Sequence, residues 1–178
     1  MAIIPKIDLV KLTDALEALG ADLRTLFEAV DWTMRRLDSR QWITLRARLT
    51  EFESLSVMVE ARRATLDREA ASTLKPWLDR LIYDVAHRAL AAEARLAQRQ
   101  YEQAEIPLFG RELFNQALRR LDRLVGQVKA TSLEPDQDQM IFERVERERK
   151  GLLDLIRRSP DIPDFSMPPA RTAQPLAA

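Results

Sequence analysis

The chain has 178 residues, 46% of them apolar and 31% charged, a composition for one domain with a substantial core rather than for a disordered segment. Lys plus Arg balances Asp plus Glu at 28 each, so the overall positive field of a general nucleic-acid binder is missing, which leaves only a local patch open. The absence of cysteine removes disulfides, thiol nucleophiles and thiolate metal sites together.

The opening "MAIIPKIDLV" is broken by Pro5 and Lys6 before a signal-peptide core could form, and no apolar run approaches the ~20 residues that span a bilayer. A cytoplasmic location is expected, with no membrane partner. The excess of Arg over Lys fits a GC-rich bacterial genome. Glycine occurs only 4 times, never in the Gly-Gly, Asn-Gly or Asp-Gly pairs of tight hairpins, while Leu, Ala, Arg and Glu dominate. Helix is therefore expected throughout.

The first helix is expected over about Asp8–Leu37, with Asp8 as N-cap and Ile7 and Leu12 stapled around it. Its stripe is Leu9, Leu12, Leu16, Leu19, Leu23, Leu26 and Val30. With Leu9 at heptad position a, the e and g positions include Thr13, Ala15, Gly20, Phe27 and Ala29, where a two-stranded coiled coil would place Glu and Lys. The apolar face is thus wider than one seam and suits burial among several helices. Long hairpins completing their core as a coiled-coil-like dimer are the alternative.

A second helix should start after Asp38, which with Gln41 resembles a capping box, and carry Trp42, Leu45, Leu49, Phe52, Leu55 or Ser56, and Val59 inward. The next break is expected at Ser72–Lys75, because Pro76 suits a first helical turn, with one long helix kinked at Pro76 as the alternative. Helix 3 then carries Leu78, Leu81, Val85, Ala89, Ala92 and Leu96 and fades near Tyr101–Ala104. Helix 4 is expected over Arg111–Thr131 on Phe114, Ala117, Leu121, Leu124 and Val128, and helix 5 from Pro135 to about Arg158 on Ile141, Val145, Leu152 and Ile156. The fold expected is all-α: an antiparallel bundle of about five long helices over residues 1–158, followed by an extended proline-rich tail over 159–178.

Little in the chain invites chemistry. The single histidine, His87, has Asp84 one turn before it, a fragment of the Glu-x-x-His pairs that di-metal bundles use twice. With no second histidine, a boundary histidine beside a carboxylate is the better account, and neither metal nor cofactor is expected. No G-x-S-x-G elbow, Walker A or G-x-G-x-x-G is present, so no enzyme is expected. In "FERVERERK", Glu143–Arg147, Glu146–Lys150 and Arg144–Glu148 have ion-pair spacing and should form a solvated face.

Arg35, Arg36, Arg40, Arg119, Arg120 and Arg123 form the candidate nucleic-acid patch, interleaved with Asp31, Asp38 and Asp122. The candidate partner-binding residues are apolar positions off the inward stripes: Trp32, Ile43, Val57 and Met58, and Ile162, Phe165 and Met167 in the tail. For helix 2, a central place in the bundle with both faces buried is the favoured account of its off-stripe residues. Together these features point to a non-catalytic protein–protein interaction module: an adaptor, chaperone or small subunit of a larger bacterial assembly. Its partner is another protein or a second copy of itself. A nucleic-acid-associated bundle is the alternative, and a ferritin-like metal bundle a weaker one.

Overall fold

The computed structural model describes residues 8–30, 39–102, 106, 110–131 and 135–160. Among these there are five helices and no strand: α1 (Leu9–Ala29), α2 (Ser39–Arg63), α3 (Arg68–Glu102), α4 (Gly110–Thr131) and α5 (Pro135–Arg158).

Capping chemistry sets the ends. Asp8 sits in extended backbone, and its carboxylate accepts from the Val10 amide at 3.1 Å, satisfying one of the amides a helix start leaves unpaired. α1 ends at Ala29, short of the Leu37 expected, because Val30 adopts extended backbone. Between α2 and α3 the chain turns at Ala64–Asp67, not at Ser72–Lys75. The end of α2 is tightened by amides of Thr65 and Leu66 donating to carbonyls three residues back, and Asp67 then caps α3 through the Ala70 amide at 2.8 Å. Pro76 consequently lies inside α3. It lacks the N–H that would reach Ser72, yet the helix continues on both sides. The aspartate cap, reinforced by Glu69 in the first turn, outcompetes proline as the start signal.

The helices alternate in direction. α1 and α3 run the same way and match step for step: Gly20 lies against Leu81, Arg24 stands 3.8 Å from Asp84, and Glu28 3.8 Å from Arg88. α2 and α4 run opposite to α3, and α5 runs with it. At 35 residues α3 is ~52 Å long and packs against all four other helices. From Leu81 to Gln100 only Arg95 is exposed.

The core is continuous across the five helices, with Leu16, Leu23, Leu45, Val59, Leu90, Leu121, Val128, Leu152 and Leu155 fully buried. Each such leucine contributes ~1.5–3 kcal/mol of transfer free energy. α1 buries Gly20 and Phe27 beside its leucines, as the wide face requires. α4 buries Phe114, Ala117, Leu121, Leu124 and Val128, the stripe its spacing predicts. α2 departs from expectation: α3 is the central helix, and α2 covers it with one buried and one solvent face. Ser159, assigned by sequence to the tail, is buried. Its hydroxyl donates to the Leu155 carbonyl, and its own carbonyl accepts from Arg111 at 3.0 Å.

Candidate functional site

The buried face of α2 follows Leu45, Phe52 and Val59. Its opposite face carries Ile43, Ala47, Thr50, Ser54, Val57 and Ala61, spaced alternately four and three residues apart, and all six are exposed. None is charged. Ile43 is 67% and Val57 68% exposed, and Met58 adjoins them at 39%. The two hydroxyls on the stripe are turned back onto their own helix. Thr50 donates to the Arg46 carbonyl at 3.1 Å and Ser54 to the Thr50 carbonyl at 2.9 Å, which leaves their carbon atoms outermost. The charges beside the stripe cancel locally, Arg48 with Glu51 at 2.8 Å and Arg63 with Glu60. The hydrogen bond from Arg63 holds the Glu60 carboxyl below its usual range. Such a strip, about three heptads long and itself uncharged, has the form of one side of a helix–helix seam.

Other exposed apolar side chains are spread over three helices: Val10 on α1, Leu113 on α4, and Met140 and Leu153 on α5. Scattered residues of this kind are ordinary on a protein surface. Of the candidate partner residues read from sequence, Ile43, Val57 and Met58 lie together on the outer face of α2, while Trp32, Ile162, Phe165 and Met167 lie outside the described residues.

The arginine patch is not assembled by the described residues. Arg119 pairs with Glu112 at 3.1 Å, Arg120 with Glu93 at 3.2 Å and Arg123 with Glu53 at 3.4 Å. Arg40 is exposed at the start of α2, and Arg35 and Arg36 lie outside the described residues. Three of the six cations are thus matched by carboxylates.

A seam that sequence reading misses joins α2, α3 and α4. The Glu93 side chain, 4% exposed, receives the Arg46 guanidinium in bidentate fashion, both contacts 3.1 Å, and Arg120 from the other side. Arg46 also lies over the Trp42 ring, 4.8 Å from its centre. Burial holds Arg120 below its ordinary pKa. Glu93 draws it back up, and Arg46 and Arg123 press it down again. The available signal was a charged residue between Ala92 and Ala94 on an alanine-rich face; its partners come from distant stretches of chain.

His87 does not use Asp84, whose carboxylate pairs with Arg88 at 3.0 Å and with Arg24. The histidine Nε2 is instead 3.8 Å from Asp138 of α5, a fully buried carboxylate that accepts from the Tyr83 hydroxyl at 2.7 Å. This polar knot fixes the start of α5 against α3. No group of three or more metal-capable side chains occurs among the described residues, and none of their helices is long and apolar enough to cross a membrane. The solvated face expected in α5 is also interrupted. Glu148 is buried, with its pKa raised by burial against the pull of Arg144 and Arg147, and Glu146 pairs with Arg149 rather than Lys150.

No protein-family model, curated protein or solved structure matches the chain.

Proposed function

We propose that the protein is a non-catalytic interaction module whose docking face is the outer side of α2, an adaptor or small subunit held in a larger cytoplasmic bacterial assembly by a helix laid along Ile43–Ala61. The observation that carries this reading is the uncharged stripe. In a chain with 31% charged residues, six exposed positions at seam spacing carry no charge, and the hydroxyls among them are withdrawn to the backbone. A helix-in-groove or helix-on-helix partner recognises such a surface through anchors at i, i+3, i+4 and i+7. The stripe itself offers a polyanion no cation, and the pairing of Arg119, Arg120 and Arg123 with carboxylates disfavours the nucleic-acid alternative.

The test compares the parent with Ile43→Glu/Val57→Glu and with a control pair, Leu113→Glu/Met140→Glu, by affinity isolation from native lysate. All four positions are exposed, so melting temperatures should stay close to the parent's. Partners recovered with the parent and the control but lost with the α2 variant support the proposal. Equal recovery by the α2 variant overturns it.

A further inference from the structure

The outer stripe of α2 is symmetric in its spacing and complementary in its side chains. From Ile43 through Ala47, Thr50, Ser54 and Val57 to Ala61 the steps are four, three, four, three and four residues, an order that is the same from either end. Reversal exchanges Ile43 with Ala61, Val57 with Ala47, and Thr50 with Ser54. Each large side chain therefore changes places with an alanine.

We propose that the helix laid along this stripe is α2 of a second copy of the chain, antiparallel to the first about a two-fold axis between Thr50 and Ser54. The proposal rests on the stripe being the docking face and names what docks there. Under a two-fold axis residue i meets j and j meets i. Ile43 of one copy then packs on Ala61 of the second, Ala47 on Val57, and Thr50 on Ser54, so every layer outside the centre joins one large and one small side chain. A parallel seam would stack isoleucine on isoleucine and alanine on alanine, leaving alternate layers underfilled. At the axis the hydroxyls of Thr50 and Ser54 are bonded to their own helix, so small, carbon-faced side chains meet there and let the two backbones approach closely.

The flanks agree with the same register. On one side Arg46 of each copy faces Glu60 of the other, and both keep surface for the contact, 35% of the Arg46 side chain and 50% of that of Glu60. On the other side Met58 faces Thr44, both exposed. Near the axis Glu51 faces Glu51 and Glu53 faces Glu53. Each arrives with a guanidinium of its own, Arg48 at 2.8 Å from Glu51 and Arg123 at 3.4 Å from Glu53, which offsets the repulsion. The seam covers ~27 Å of helix and engages roughly ten residues a side, against the ~20–30 of a standard interface. The dimer is accordingly weak, with a dissociation constant on the order of 10–100 µM.

Sedimentation equilibrium of the full chain from ~5 to ~500 µM should show the parent passing from monomer to dimer. Ile43→Glu/Val57→Glu should weaken association at least ~10-fold. Ala47→Leu, which sets leucine against Val57, should weaken it too, and Ala47→Leu/Val57→Ala should restore it, because the exchange returns one large side chain to each layer. The substituted positions are exposed, so the fold is not at stake. With no native cysteine, Ile43→Cys mixed with Ala61→Cys should form linked dimers at least ~10-fold faster than either variant alone, since like positions stand ~27 Å apart across the axis. A dimer that survives Ile43→Glu/Val57→Glu, an exchange variant no better than Ala47→Leu, or equal linking by Ile43→Cys alone overturns the proposal. A parent monomeric throughout also overturns it, leaving the stripe to a different protein; the docking reading itself fails separately, through unchanged recovery of lysate partners by the α2 variant.

Discussion

Replacing Glu93 with glutamine tests whether the three-helix seam holds α2 to the bundle. The substitution keeps volume and one acceptor but removes the charge that two guanidiniums share. Loss of one charge-assisted hydrogen bond sets a floor of about 1.5 kcal/mol. Breaking a fully buried ion pair costs about 3–5 kcal/mol. The carboxylate is 4% exposed, but Arg46 keeps 35% and Arg120 22% of their side-chain surface, so both can recover part of their hydration. The expected loss is therefore about 2–3 kcal/mol, or roughly 4–12 °C in melting temperature for a chain of this size. Urea denaturation followed by circular dichroism reads it as a lower midpoint with an unchanged slope. A change below about 0.5 kcal/mol would refute the argument, since it would mean the guanidiniums lose nothing when their shared anion goes. The companion variant Glu93→Leu/Arg46→Met/Arg120→Met removes all three charges and should come within about 1 kcal/mol of the parent, or exceed it.

Other substitutions probe separate features. Glu148 has a folded-state pKa above its unfolded one, so its protonated form favours the fold. That contribution is complete below the unfolded pKa and is lost as pH rises through the folded value. Glu148→Gln should accordingly be more stable than the parent at pH 7, with the two converging toward about pH 4 in thermal melts. Gly126 faces open space within α4, and Gly126→Ala should stabilise by about 0.5–1 kcal/mol. At Gly20 an added Cβ would meet Leu81 at 2.9 Å, so a bulky Gly20→Leu should force α1 outward and cost about 1–3 kcal/mol in the same assay. Asp67→Ala removes the α3 cap and should cost about 1 kcal/mol; an unchanged midpoint would show that Pro76 rather than Asp67 sets the start of that helix.

The parts of the fold legible in sequence are those where one physical signal acts alone. α4 has a single buried face, so its stripe reads directly, and α5 starts at Pro135 where nothing competes. The α2–α3 turn departs from the sequence expectation because two start signals lie nine residues apart, and the aspartate cap wins over the proline. Ile43, Val57 and Met58 stand out in sequence as off-stripe, but whether that face meets protein or solvent depends on which helix is central. That is a tertiary outcome, decided by the alanine-rich half of α3 admitting neighbours on every side. Glu93 and Asp138 were illegible for a related reason: each is a charge whose burial is tolerable only through partners on other helices.

Among the described residues, α1 and α2 have no Cα within 8 Å of any in α4 or α5, whereas both pack on α3. The molecule is bound like a book, with α3 as the spine, α4 and α5 as the pages, and the α1–α2 hairpin as a cover. The cover is clasped at its edge by Arg46 and Arg120 on Glu93 and by Glu53 on Arg123. Breaking that clasp should therefore speed amide hydrogen exchange in α1 and α2 together before it does so in the other three helices. The uncharged stripe lies on the outside of that cover.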